Sequence, residues 1–407
     1  MPPAVRQRGR SAASKTLEAI SSAALPDQVL AKARERFSAL TGAQRYSIAK
    51  EVAEERRSEY VRLIANLVDV VPGLRRRRNE DGTEHIGYEP CLVFLVRGKW
   101  KTSKSADRQS IPNELLRYIG PDSDRKLCAI PTDVQAERRL LGVQAQARNG
   151  VLANDASRDY YEYGAIAFTV RDDAGSLYAV SAMHVLSPAR VVAGSGLHDR
   201  ALESSVDGPV GSPPGSTILR STLFGGRLVA SPSLSLDVQL AKVVDEEGVR
   251  DALKGVRLSS IKLFVESDVE LVGLIEDGRR LLILVPENHP NHVSRPRPFP
   301  RATHSTGEIQ ALIPFVFLKS GPGDTVQYAL ELQIEAGSGT TEPGDSGCPV
   351  VVPLDDGDFA LVGMHIGGNP DARTSIVVPI WRILDPLQYD DVGGKMPNGA
   401  LTLVDQI

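Results

Sequence analysis

Between residues 164 and 378 the chain is a succession of short apolar runs, each cut off by Gly, Pro or Asp. They fall at 165–170, 177–180, 227–230, 238–244, 261–265, 269–275, 281–285, 309–317, 329–334, 350–352, 361–366 and 375–378. Runs this short cannot sustain a helical stripe, whereas half-buried or buried strands need no more than four to eight residues. No helical period intervenes until positions 379–387. This half of the protein is therefore expected to be all-β. Residues 286–307, rich in Pro, Arg and His, read as an exposed loop.

The chain before it is different. Its 407 residues exceed one ordinary domain. Residues 1–15 are basic and free of acids, as in a disordered tail. Glu18 comes too early for an organellar presequence. Ile48, Val52, Tyr60, Leu63, Ile64 and Leu67 recur at helical spacing, with charge filling the opposite face. A helical hairpin or small bundle is expected up to residue 71, stopped by Pro72-Gly73. Arg75-Arg76-Arg77-Arg78 with its acidic neighbours then reads as an exposed linker, open to proteolytic nicking. Strand 91–96, a short helix at 111–116 and strand 128–134 suggest a small βαβ unit. The expected boundaries are 1–82 for the helical region, 83–145 for the βαβ unit and 146–395 for the β part. A tail, 396–407, closes the chain.

Composition excludes more than it specifies. A net charge of −4 makes no global case for nucleic acid or a membrane surface. No apolar run reaches transmembrane length, and no apolar core follows the basic start as a secretory signal requires. Cys91, Cys128 and Cys348 are too few to staple a secreted fold, so a reducing, cytoplasmic setting is expected. Nothing asks for a cofactor. His289-Pro290-Asn291-His292 lacks a third metal ligand nearby.

The chemistry lies in Gly344-Asp345-Ser346-Gly347-Cys348-Pro349-Val350. A serine between glycines can hold its hydroxyl exposed with backbone N–H groups beside it, as an acyl-transfer nucleophile needs. An ordinary loop uses the same residue types. Upstream, Ser181-Ala182-Met183-His184 sets a histidine just past an apolar strand, and Leu236-Asp237-Val238 sets an aspartate within another. His, Asp, Ser is the chain order of the chymotrypsin arrangement, not of subtilisin or the α/β-hydrolases. With these three motifs the region from about 150 to 395 resembles the trypsin-like serine peptidases.

That resemblance implies two six-stranded β-barrels, about 150–247 and 255–390, with the site between them. It implies Ser346 as nucleophile, His184 as base and Asp237 as its orienting acid. The oxyanion hole would be the N–H groups of Gly344 and Ser346. Val185 stands where secreted trypsins carry a cysteine, and no Ile-Val-Gly-Gly start is evident to pair with Asp345. Gly363-Met364-His365-Ile366-Gly367-Gly368 resembles the S1 stretch of glutamyl endopeptidases and picornaviral peptidases, and Thr341 matches a threonine of the former. Thr341, His365 and Gly367 are thus the expected substrate-binding residues, for Glu or else Gln at P1. Thr340, six before Ser346, is not the aspartate of an Arg/Lys-cleaving enzyme. The leader, ending in Ile130-Pro131-Thr132-Asp133-Val134, resembles that of a group of bacterial trypsin-like proteins. The expected partners are a protein or peptide substrate and an activator acting through the N-terminal region. A pseudopeptidase or latent scaffold that only binds proteins is the competing expectation.

Overall fold

The computed structural model describes residues 25–64, 66–78, 84–96, 111–136, 139–140, 151–154, 161–182, 185, 205–207, 217–219, 224–226, 236–253, 261–279, 281–285, 301–317, 325–334, 341, 344–355, 357–369, 374–390 and 397–404. The chain divides into two units, one of residues 1–137 with 309–312, the other of 138–308 with 313–407. Secondary structure is mostly β, with few helices. Among the described residues no helix is long and apolar enough to cross a membrane.

In the first unit, α1 (Asp27–Ser38) and α2 (Gly42–Leu63) form the expected helical pair. Thr41 caps α2 reciprocally: its side chain accepts from Gln44 N–H, and the Gln44 side chain accepts from Thr41 N–H. The helix ends eight residues before the expected Pro72-Gly73 stop (71 was the last expected helical residue). Asn66, at φ 70°, turns the chain out of it. The β-branched Val68, Val70 and Val71 then favour strand over helix. They lie in β1 (Leu67–Arg78). Arg75-Arg76-Arg77-Arg78 is therefore strand, not a linker; Arg77 lies opposite His85 of β2 (Glu84–Val96).

The expected helix at 111–116 is also replaced: β3 (Glu114–Ile119) pairs antiparallel with β4 (Lys126–Ala136). Six residues give too few hydrogen bonds to offset helix nucleation, and a ready strand partner decides the outcome. The parallel relation a βαβ unit requires is present between β2 and β4, Leu92 opposite Thr132. The order is β1-β2-β4-β3, with Ala311 opposite Gly73 on the other side of β1. Phe37, Val52, Tyr60, Leu92, Phe94 and Ile130 belong to one buried cluster. Tyr60 meets Phe94 edge-on, ring centroids 5.3 Å apart.

The second unit starts with the two-residue β5 (Arg139–Leu140), followed by β6 (Val151–Asn154) and β7 (Tyr161–Gly164). Next come β8 (Phe168–Arg171), β9 (Leu177–Ser181), β10 (Ser205–Asp207), β11 (Thr217–Leu219), β12 (Phe224–Gly226) and β13 (Gln239–Lys242). Then follow β14 (Ile261–Phe264), β15 (Leu282–Val285), β16 (Arg301–Phe317), β17 (Thr325–Ile334), β18 (Pro349–Pro353), β19 (Phe359–Asn369) and β20 (Thr374–Pro379). β21 (Tyr389–Asp390) and β22 (Thr402–Val404) complete the set. One sheet runs β11-β10-β6-β7, and a second β21-β12-β13-β9-β8-β22. A third includes the order β15-β18-β19-β20-β17-β16, and β16 also pairs with β15, Leu282 opposite His304. Part of the expected loop at 286–307 is thus strand from Arg301 onward. Among the described residues these pairings do not by themselves establish the expected pair of closed barrels.

Among the described residues α-helices also interrupt the strands, two of them unexpected. α3 (Glu246–Ala252) starts at Asp245, whose side chain accepts from Gly248 N–H at 3.1 Å. α4 (Asp268–Glu276) replaces the strand expected at 269–275; Ser267 accepts from Glu270 N–H at its start. Its buried residues, Asp268, Leu271, Val272 and Ile275, follow a helical period that the run of Val, Leu and Ile conceals. α5 (Ile380–Ile383) falls within the expected helical stretch.

The segment before and through β22 returns to β8. Thr402 lies opposite Arg171, Asp173 N–H donates to the Asn398 carbonyl at 2.9 Å, and Ala400 N–H donates to the Asp173 carboxylate at 3.1 Å. A Cβ on Gly399 would stand 1.9 Å from that carboxylate, at φ 77°, so the crossing requires glycine. Within the tail expected at 396–407, Thr402–Val404 is accordingly an edge strand.

Candidate active site

The turn that carries Ser346 is shaped by glycine. Gly344 has φ 95° and Gly347 φ 96°, a region side chains rarely adopt. A Cβ on Gly347 would fall 1.8 Å from the Ala165 carbonyl oxygen, so no other residue fits. Cys348 N–H closes the turn on the Asp345 carbonyl at 3.0 Å. Gly347 N–H donates to the His365 carbonyl at 2.8 Å, and His365 N–H donates to the Cys348 carbonyl at 2.9 Å, which ties the turn to β19. Asp345 and Cys348 are buried, Ser346 half-buried. The Ser346 hydroxyl donates to the Ile366 carbonyl at 3.3 Å.

A second set of bonds fastens the turn to the segment between β7 and β8. Ala165 N–H donates to the Ser346 carbonyl at 2.8 Å. The Ser181 hydroxyl, first residue of the histidine motif, donates to the Ala165 carbonyl at 2.7 Å. A Cβ on Gly164 would meet the Ser346 carbonyl oxygen at 2.6 Å and the Val185 methyls at 2.6 and 2.7 Å. The residue after His184 and the backbone of Ser346 thus crowd the same glycine.

His184 itself lies outside the described residues. The chain on either side of it is placed: Ser181 ends β9 opposite Gln239 of β13, and Val185 N–H donates to the Ala182 carbonyl at 3.1 Å. Because the pair is antiparallel, β9 ends where β13 leads back to Asp237. Asp237 is 1% exposed, between buried Leu236 and Val238. An aspartate so deeply buried is tolerable only with hydrogen-bonding or charged partners.

The expected specificity residues occupy β19 and the approach to the turn. His365 is 2% exposed, and its Nδ1 lies 2.8 Å from the hydroxyl of fully buried Ser375 on β20. Between His365 and Gly367 the β19–β20 register slips by a residue, a bulge that re-aims the strand's side chains beside Ser346. Gly367 is half-buried, and among the described residues a Cβ there would touch nothing within 4 Å. Thr341 is buried, and no hydrogen bond joins it to His365 among the described residues. The His289 and His292 pair lies outside the described residues; among those described, no three His, Cys, Asp or Glu are grouped to hold a metal.

No protein-family model matches the chain, and no curated protein does. Among solved structures, the murine norovirus NS6 protease is similar at 15% identity, over 50% of this chain and 80% of its own, with a TM-score of 0.22. A serine protease described as glutamic acid specific, with a histidine triad in substrate binding, is similar at 14% identity, over 59% of this chain and 97% of its own, TM-score 0.32. Nocardiopsis protease is similar at 12% identity, over 59% and 96%, TM-score 0.30.

Sequence reasoning missed Gly164, Ala165 and Ser375. Ser181 was in view as part of a motif, without its role. The other three are recruited by strand register, which a local motif does not encode.

Proposed function

We propose that the second unit is a serine endopeptidase of the trypsin-like type, its site lying between paired β-barrels. The observation that carries this reading is the Ser346 turn: a serine between two left-handed glycines, bonded through its own carbonyl to Ala165 and crowded onto the glycine that Val185 also touches. Such a turn holds a nucleophile still while leaving its hydroxyl half-exposed.

In this reading His184 takes the Ser346 hydroxyl proton as the oxygen attacks a peptide carbonyl. The developing oxyanion is held by the N–H groups of Gly344 and Ser346. His184 then delivers the proton to the departing amine as the C–N bond breaks, and water, activated the same way, frees the acyl group from Ser346. Asp237 fixes the imidazole tautomer from its buried strand. His365, with Thr341 and Gly367, binds a Glu or Gln side chain at P1. The 1–137 region restrains the enzyme or recruits its substrate. A cytoplasmic setting fits the three buried, unbridged thiols of Cys91, Cys128 and Cys348.

The test is covalent labelling of Ser346 by a fluorophosphonate, with hydrolysis of a P1 peptide panel and Ser346→Ala as control. Loss of label and of turnover in Ser346→Ala, by about 10⁴-fold or more, is expected. A wild-type protein that takes no label, with or without residues 1–140, would leave the protein-binding scaffold as the better reading. Equal turnover of Ala, Leu, Arg, Gln and Glu at P1 would remove the specificity assignment alone. Equal activity of the full and the truncated chain would remove the regulatory role.

A further inference from the structure

We infer that Ser375 is a positioning residue that sets P1 selectivity by fixing the ring of His365. This rests on the proposed peptidase reading and deepens it. A buried imidazole can rotate about its terminal torsion and exchange its two nitrogens unless a partner holds one of them. Here the Ser375 hydroxyl stands 2.8 Å from Nδ1, with both residues buried. With Nδ1 engaged by Ser375, recognition of the P1 side chain is assigned under this proposal to Nε2.

The strands supply the stiffness. Ser375 lies opposite Gly368 on one side and Leu332 of β17 on the other, so its backbone is held from both flanks. The bulge between His365 and Gly367 breaks the simple alternation of β19. His365 lies opposite Val377, yet its ring reaches Ser375 on the diagonal. Neither β18 nor β20 carries an ionisable side chain. The ionisable residues of the turn are Asp345 and Cys348, and β17 brings Glu331 opposite Ile376. A hydroxyl partner adds no charge, so Ser375 orients the ring without forcing it to be an imidazolium.

The experiment uses the full chain with Ser375→Ala, Ser375→Thr and Ser375→Asp, on peptides differing only at P1 (Gln, Glu or Ala). Ser375→Ala is expected to lower kcat/KM for Gln and Glu by about 10- to 100-fold, chiefly through KM, and to leave the Ala peptide within about threefold. Ser375→Thr keeps the hydroxyl and should restore Gln and Glu turnover. Ser375→Asp places a carboxylate beside Nδ1, favours the imidazolium and should raise the Glu-to-Gln ratio by about tenfold. Ring ¹⁵N spectra, assigned with His365→Gln, should show the His365 Nδ1 signal shifting in Ser375→Ala even without substrate. A selective wild type whose selectivity and Nδ1 signal survive Ser375→Ala overturns this inference and leaves the peptidase reading standing. A uniform loss on all three peptides reduces Ser375 to a packing residue and overturns it too. A wild type indifferent to P1 overturns both the pocket reading and this one.

Discussion

The core of the first unit and the Ser346 turn are both well buried, yet they are held by opposite means. The first is a matter of apolar volume: Tyr60, Phe94, Leu92 and Ile130 fill the space within α2, β2 and β4, and many side-chain contacts share the load. The turn packs little apolar volume, its buried side chains being those of Asp345 and Cys348. Among the described residues, two glycines, four backbone hydrogen bonds and the hydroxyl of Ser181 shape it. Packing degrades gradually when an atom is removed, because neighbours partly close the gap. A backbone clip has no slack of that kind. One added methyl at Gly347 lands inside the van der Waals radius of a carbonyl that the Ser181 hydroxyl also needs.

The contrast can be broken in order of expected effect. Gly347→Ala should abolish turnover of the peptide panel, by about 10³-fold or more, while near-native helical circular dichroism persists. Retained turnover would mean the turn yields more than its geometry allows. Phe94→Ala should cost about 3–5 kcal/mol of stability, read as an earlier transition in denaturant, with kcat of the still-folded protein little changed. Ser181→Ala should lower kcat by about tenfold with a stability loss near 1 kcal/mol, because the Ala165 carbonyl loses a buried donor. An effect on KM alone would place Ser181 outside the clip.

The smallest effect concerns Asp69, which is buried and paired with Arg57 through Nε at 2.6 Å and Nη2 at 2.7 Å. Burial outweighs that pairing and raises its pKa above the ordinary value of 3.8. A carboxyl that binds its proton more tightly when folded contributes stability that is complete below the unfolded value. That contribution fades as pH rises through the folded one. Asp69→Asn should therefore flatten the stability profile across the window that opens just above pH 4, read by denaturant midpoints at several pH values. An unchanged profile would show that Arg57 holds the carboxylate better than burial expels it.

What could be read from the residues followed distance along the chain. Strand rhythm is local, so β9, β15, β18 and β20 stood out as apolar runs between turn residues. The Ser346 turn was legible for the same reason, since glycines announce unusual backbone within a few positions. The helix α4 was misread although Ser267 and Glu270 have the spacing of a capping box; the apolar run masked a four-residue period. Pro72-Gly73 misled in the other direction, since strand pairing with β2 accommodates both. Ser375 and Ala165 were invisible. Each acquires its role from a partner on another strand, through register and a bulge that no single segment specifies.

The return of residues 398–404 to β8 has a consequence for the order in which the protein is made. Synthesis delivers positions 184 and 237 first, Ser346 next, and the β22 residues that border β8 after all three. A nascent chain that already displays its serine still has a bare sheet edge at β8, with the Asp173 carboxylate lacking the Ala400 N–H. The sheet that contains Ser181 and leads to Asp237 therefore gains its β8 edge partner only after every other strand of that sheet has been made.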